Sequence, residues 1–128
     1  MRLMTNAAPP PNRHTETRHH PLGKTCHHFE FHGLSCDEFD ALHARAAGRC
    51  EICRTPTEET GGRRLVVDHY WRDGRRIVRG LLCDKCNVVM ACMDGRKPWG
   101  ENRRWAAQAQ TYEAKAWGVP TGRKVRSP

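Results

Sequence analysis

Arg64-Leu65-Val66-Val67-Asp68-His69-Tyr70-Trp71-Arg72-Asp73-Gly74-Arg75-Arg76-Ile77-Val78-Arg79-Gly80-Leu81-Leu82-Cys83-Asp84-Lys85-Cys86-Asn87 is the stretch that decides the fold. Residues 64–69 read as a strand and residues 76–82 as its partner, both rich in Val, Ile and Leu. Asp73-Gly74 between them signals a tight hairpin, because both residues tolerate the positive φ that such turns require. The stretch closes on Cys83-Asp84-Lys85-Cys86, and Cys50-Glu51-Ile52-Cys53 precedes it across a separation of 29 residues. A C-x2-C turn aims two sulfurs at one point. Two such turns complete a tetrahedral sulfur shell that suits Zn2+ at about 2.3 Å per bond. With all four positions filled by thiolate no place is left for water, so Cys50, Cys53, Cys83 and Cys86 predict a structural zinc. Arg49, Arg54 and Lys85, close by in sequence, would offset its negative charge.

Outward from this stretch the pattern changes several times. Asn87 to about Met93 reads as a short helix. Ser35-Cys36-Asp37-Glu38 is a capping box, followed by Phe39, Leu42 and Ala46 at helical spacing and by Gly48 as a stop. A short amphipathic helix over about 36–47 follows from this. Residues 54–63 are turn formers and polar groups. Trp105, Ala109, Tyr112 and Ala116 fall on one face of a longer helix over about 101–117, an apolar stripe most simply explained by packing. Residues 1–20, with Pro9, Pro10 and Pro11, read as a disordered tail, and residues 119–128 as a basic one. A single domain over 21–118 lies between them.

Composition narrows the function. The chain has 128 residues, of which 38% are apolar, with a mean hydropathy of −0.80. A core this thin needs a staple, and a structural metal supplies one. The formal net charge of +8 and pI near 9.5 favour a polyanionic partner, nucleic acid first. No run approaches the ~18 apolar residues of a membrane span. The N-terminal segment lacks the apolar stretch of a signal peptide, so a cytoplasmic location is expected, with reduced thiols. Seven cysteines there call for metal rather than disulfides. Cys26, Cys36 and Cys92 have no comparable spacing. A second ligand set from His27, His28, His32 and Cys36 can be drawn, against the plainer reading of buried thiols and solvated histidines.

The hairpin carries the chemical signal. Asp68-His69 ends the first strand and Asn87 directly follows the last cysteine. Strand periodicity sends Asp68 and His69 to opposite faces, so a bulge or a strand end is required if both serve one centre. A zinc at residues 83–86 would pin Asn87 against the hairpin. The result would be a carboxylate, an imidazole and an amide oxygen beside a rigid knuckle. Each has a bland alternative: Asp-His pairs recur by chance, Asn87 can cap a helix, and arginines usually face solvent. The density of Arg63, Arg64, Arg72, Arg75 and Arg76 favours phosphate contact instead.

From Cys50 to Asn87, with C-x2-C, then Val67-Asp68-His69, then Val78-Arg79-Gly80-Leu81-Leu82-Cys83 and Cys86-Asn87, the chain resembles the phage recombination endonuclease VII family of HNH (His-Me finger) nucleases. The likeness spans about 35–115. It implies a small α+β fold: a ββα-metal (HNH) finger built on a four-cysteine zinc knuckle, with flanking α-helices. It also implies an endonuclease that hydrolyses DNA phosphodiester bonds, leaving a 5′-phosphate and a 3′-hydroxyl. Asp68 and Asn87 would hold a catalytic Mg2+ or Mn2+ and His69 would be the general base, an assignment that suits a hard cation and a neutral imidazole. Trp71 stands where the family pattern often has a second histidine. Either Arg72, Arg75, Arg76 or Arg79 then binds the phosphate, or turnover is slower. The expected partner is DNA, branched DNA included, with no membrane; a homodimer and phage packaging or replication proteins are further candidates. The rival reading is a non-catalytic zinc-knuckle module that binds DNA or serves phage assembly.

Overall fold

A computed structural model describes residues 16–59, 64–116 and 119–120. The element order is α1 (His27–His32), α2 (Cys36–Ala46), β1 (Val66–Arg72), β2 (Arg75–Leu82), α3 (Asp84–Met93), α4 (Ala106–Ala114) and β3 (Val119–Pro120), with 3-10 turns at Thr57–Glu59 and Gly100–Trp105. The sheet is antiparallel in the order β1-β2-β3. This is a small α+β fold.

Local chemistry sets most boundaries. The capping box is complete: the Ser35 N–H donates to Glu38 Oε1 at 2.8 Å, and the Glu38 N–H donates to Ser35 Oγ at 3.1 Å. Asp73 and Gly74 sit at φ 52° and 75°, so both central residues of the hairpin turn are left-handed, which matches the right-handed twist of its strands. The helix after the hairpin begins at Asp84, earlier than Asn87, with Cys83 as its N-cap. Asn87 is therefore inside the first turns and caps nothing. The stretch over 101–117 divides into a 3-10 turn and α4, with Ala109 and Tyr112 buried on its inner side.

The described residues include part of each expected tail. Residues 16–20 pack: the Glu16 carbonyl accepts the Cys26 N–H at 2.8 Å, and its carboxylate accepts the Cys36 N–H. Glu16 is buried for that reason. At the other end Val119 and Pro120 pair with Val78 and Ile77. The expected tail segments 1–15 and 121–128, and Arg63, lie outside the described residues.

Two apolar clusters flank β2. One gathers Ile52, Leu82, Val89, Met90, Ala109 and Tyr112 around the knuckle cysteines; the other joins Leu34, Leu42 and Ala46 to Val78 and Leu81. Val78 and Leu81 share a cluster although three positions apart, because pairing slips between them. Asp68 faces Gly80 and His69 faces Val78, which leaves Arg79 as the extra residue of a β-bulge. Truncating a fully buried leucine such as Leu42, Leu81 or Leu82 should cost about 2–5 kcal/mol. Among the described residues no helix is long and apolar enough to cross a membrane.

Candidate functional site

The knuckle comes first because it positions the rest. The ligand atoms of Cys50, Cys53, Cys83 and Cys86 all lie within 4.8 Å of one another. Cys53 Sγ and Cys83 Sγ are 3.8 Å apart, too far for a disulfide at ~2.05 Å. The separation equals the edge of a tetrahedron with ~2.3 Å zinc–sulfur bonds, about 3.8 Å. The four cysteines can therefore hold zinc. All seven cysteines are free thiols. The hydrogen bond to Cys86 holds Cys50 down to about 4, well below an ordinary thiol, while burial pushes Cys83 up.

The first cysteine turn is bolted to β2 through Glu51. Its N–H donates to the Leu81 carbonyl at 3.1 Å and its Oε2 accepts the Leu81 N–H at 2.9 Å. Arg45 pairs with Oε1 at 3.1 Å. Gly80 leaves room for this contact, since a Cβ there would stand 2.5 Å from Glu51 Oε2 and 2.8 Å from the Tyr112 hydroxyl. Any side chain at position 80 would displace both.

Asp68 and His69 part company at β1. The bulge expected at this point is present, but its extra residue is Arg79 on the partner strand, and β1 keeps its alternation. Asp68 is 1% exposed. Its Oδ2 accepts from Arg79 Nε at 2.8 Å and from the Tyr112 hydroxyl at 2.8 Å, and its Oδ1 accepts from Arg79 Nη2 at 3.2 Å. Burial raises the Asp68 pKa and Arg79 opposes the rise; burial also pushes Tyr112 up, with Asp68 adding to it. Arg79 reaches further, donating from Nη1 and Nη2 to both oxygens of Asp94 at 2.9 and 2.8 Å. Burial works against its charge, but Asp94 and Asp68 more than compensate and hold it protonated.

His69 opens instead into a cleft of about 500 Å3, lined also by Val67, Tyr70, Trp71, Asn87, Asp94 and Arg96. Burial first, and Arg76 second, lower its pKa to about 4, so the ring is neutral at pH 7. Its Nδ1 is buried, and a hydrogen bond to the Val67 backbone works against the lowering. The His32 ring from the end of α1 packs against it at 5.5 Å between centroids, itself lowered to about 3 by burial. The structure thus brings His69 and Asn87 to one cleft and places Asp68 outside its lining.

The arginines separate as well. Arg72 and Arg75 are exposed near the hairpin turn. Arg79, expected among the phosphate-contacting side chains, has 2% of its side chain exposed and is held by Asp68 and Asp94, with Glu113 at 3.8 Å, so it has no surface to offer DNA. Arg76 is different. It is 9% exposed, its guanidinium stacks 4.9 Å over Trp71, and its Nε has no hydrogen-bond partner among the described residues. Burial lowers its pKa, and no acid is among the causes.

Asp94 and Arg96 escape the sequence reading, and His32, drawn there into a second ligand set, stands beside His69 instead. Asp94-Gly95-Arg96 follows α3 directly, and a charged pair across a glycine at a helix end is the available signal. Nothing in the sequence points from His32 to His69. Cys92 is no ligand: its thiol donates to the Pro98 carbonyl at 3.3 Å and anchors the turn after α3. Trp105 packs on the core and carries Lys85 at 3.9 Å over its ring.

A basic α+β chain with a tetrathiolate knuckle and a cleft holding a neutral imidazole fits the zinc-stapled nuclease class. The model of the recombination endonuclease VII family matches residues 24–114, more than half of the chain, and the chain belongs to that family. It is also similar to the Gene 59 proteins of Mycobacterium phages D29 and L5, with 41% identity over 56 residues in each case. Those 56 residues are 44% of this chain and 32% of each relative, so the alignment spans about a third of the relatives' own length. No solved structure matches.

Proposed function

We propose that this protein is a metal-dependent endonuclease of the HNH type that hydrolyses DNA phosphodiester bonds and leaves a 5′-phosphate and a 3′-hydroxyl. In this reading β1, β2 and α3 form the ββα-metal finger and the zinc held by the four knuckle cysteines is structural. The observation that carries it is the cleft shared by His69 and Asn87, within a chain of the endonuclease VII family. Family membership supports DNA as substrate. Nicking, double-strand cleavage and junction resolution are all within reach of such a site.

His69 is the general base. Because it is neutral at pH 7, a lone pair is available to take the proton of an attacking water. Nδ1 is buried, which leaves Nε2 to face the substrate. Arg76 replaces the second histidine of the family pattern. It is a desolvated cation held on Trp71 beside the base, and a phosphate would supply a counter-anion. Arg72 and Arg75 add contacts that carry no sequence information.

The donor set for a divalent cation fits in part. The exposed Asn87 offers its amide oxygen at the cleft. The carboxylate expected beside it from sequence, Asp68, has 1% of its side chain exposed, whereas Asp94, which also accepts three hydrogen bonds, from Arg79 and Arg96, has 16% exposed and lines the cleft. A divalent cation, when bound, would stabilise charge on the phosphate and the departing 3′ oxygen.

The non-catalytic reading, a zinc-knuckle module for DNA binding or phage assembly, draws on the engagement of Asp68. Purified protein with supercoiled plasmid separates the two. Cleavage in Mg2+ or Mn2+, abolished by chelation and yielding ends that a ligase accepts, supports the nuclease. Retarded plasmid that stays supercoiled under both metals sinks it.

A further inference from the structure

The geometry points to a second zinc site, formed by His19, Cys26, His28 and Cys36, that fastens the N-terminal segment and α1 to α2. It is independent of the nuclease reading. The four ligand atoms lie within 4.8 Å of one another, the same closeness as the knuckle thiols. Cys26 Sγ and Cys36 Sγ are 3.8 Å apart. That matches the Cys53–Cys83 separation and the ~3.8 Å edge of a zinc–sulfur tetrahedron, and again excludes a disulfide. Two sulfurs and two imidazole nitrogens are a common structural zinc set, and with two thiolates the loaded site is neutral, which suits its burial. Cys26, Cys36 and His28 are 2%, 3% and 4% exposed.

The surroundings are those of a metal site. His28 Nε2 is buried and has no hydrogen-bond partner among the described residues. Buried polar atoms are normally satisfied, so an orphan nitrogen on a histidine of a Cys/His cluster asks for a ligand. The His28 ring is held by stacking on Phe39, with centroids 4.0 Å apart and planes at 10°. His19 Nε2 meets Asp40 Oδ1 at 2.7 Å, the carboxylate–histidine arrangement that orients zinc-bound imidazoles and leaves Nδ1 for the metal. The His19 backbone N–H donates to Cys26 Sγ at 3.3 Å. The ligand set drawn from sequence includes His27 and His32. These lie elsewhere: His27 stacks with Phe31 at 4.4 Å, and His32 abuts His69. A zinc here would hold α1, and with it His32, against the base.

The test is metal content and cobalt absorption of the full-length chain. Two zinc ions per chain are expected by elemental analysis, and one in Cys36→Ser, with the knuckle zinc kept. One zinc in the wild type, or two in Cys36→Ser, overturns the proposal. Should that variant fail to fold, Co2+ titration of the wild type decides. Two spectral phases, one all-sulfur and one mixed sulfur–nitrogen with weaker charge-transfer bands, support the site; saturation at one equivalent with an all-sulfur spectrum contradicts it.

Discussion

On one face of β1, Asp68 is buried under Arg79 and Tyr112; on the other, His69 faces a cleft with Asn87. The two residues adjoin in sequence, yet the carboxylate is hydrogen-bonded in the interior and the imidazole lines a cleft. Arg79 connects the faces, since it grips Asp68 on one side and Asp94, a cleft residue, on the other. The buried network therefore fixes the wall on which Asp94 stands. The difference teaches that adjacency in sequence does not give two side chains the same surroundings; what packs over each face decides.

The largest expected effect undoes both faces together. Cys83→Ser removes a ligand of the knuckle, whose zinc is worth on the order of 10 kcal/mol in such sites. Loss of the knuckle zinc and of cooperative melting is expected by elemental analysis and calorimetry. A variant that keeps its metal and its melting temperature would show that the knuckle does not staple the hairpin.

Next comes the contrast of the two acids. Asp68→Asn leaves Arg79 partly uncompensated in the interior and should destabilise the fold by about 3 kcal/mol, read by urea unfolding. Asp94 has 16% of its side chain exposed, so Asp94→Asn should cost less stability and more Mg2+ affinity. The reverse pattern would return Asp68 to the cation and leave Asp94 structural.

Arg76→Gln keeps bulk beside Trp71 but removes the cation. Cleavage should fall by about 10- to 100-fold, with the slope of DNA affinity against salt reduced by about one phosphate. Unchanged cleavage would transfer that role to Arg72, Arg75 or Arg96.

The smallest effect is an absence of change. The His69 ring resonance should stay flat from pH 8 to about 5 in an NMR titration and move only near pH 4. Its folded-state pKa lies below the ~6.5 of an unfolded histidine, so protonation favours the unfolded chain. Stability from this group is complete above about pH 6.5 and lost as pH falls toward 4. A midpoint near 6.5 would mean that the ring is solvated and not buried beside Arg76.

What the sequence shows depends on how local the cause is. The two C-x2-C turns, the Asp73-Gly74 hairpin and the Ser35/Glu38 box each lie within a few residues, and all appear where expected. The bulge follows in sequence terms from the demand that Asp68 and His69 meet, but the partners of the carboxylate, Arg79 and Tyr112, do not. Tyr112 lies 44 residues from Asp68, and no pattern in either segment announces the bond. The His19/Cys26/His28/Cys36 cluster is half legible: His28 and Cys36 are in the set drawn from sequence, but Cys26 is left out of it and His19 lies in what reads as a tail. Helix α3 begins three residues early for a simpler reason, since Cys83 in extended conformation serves as its cap.

The most direct measurement is single-turnover cleavage of supercoiled plasmid by wild type and His69→Ala, with DNA affinity and zinc content recorded on the same preparations. The account predicts a rate loss of about 10²- to 10⁴-fold with affinity, metal and melting unchanged. Equal rates for the two proteins, or loss of DNA binding together with cleavage, would contradict His69 as the base.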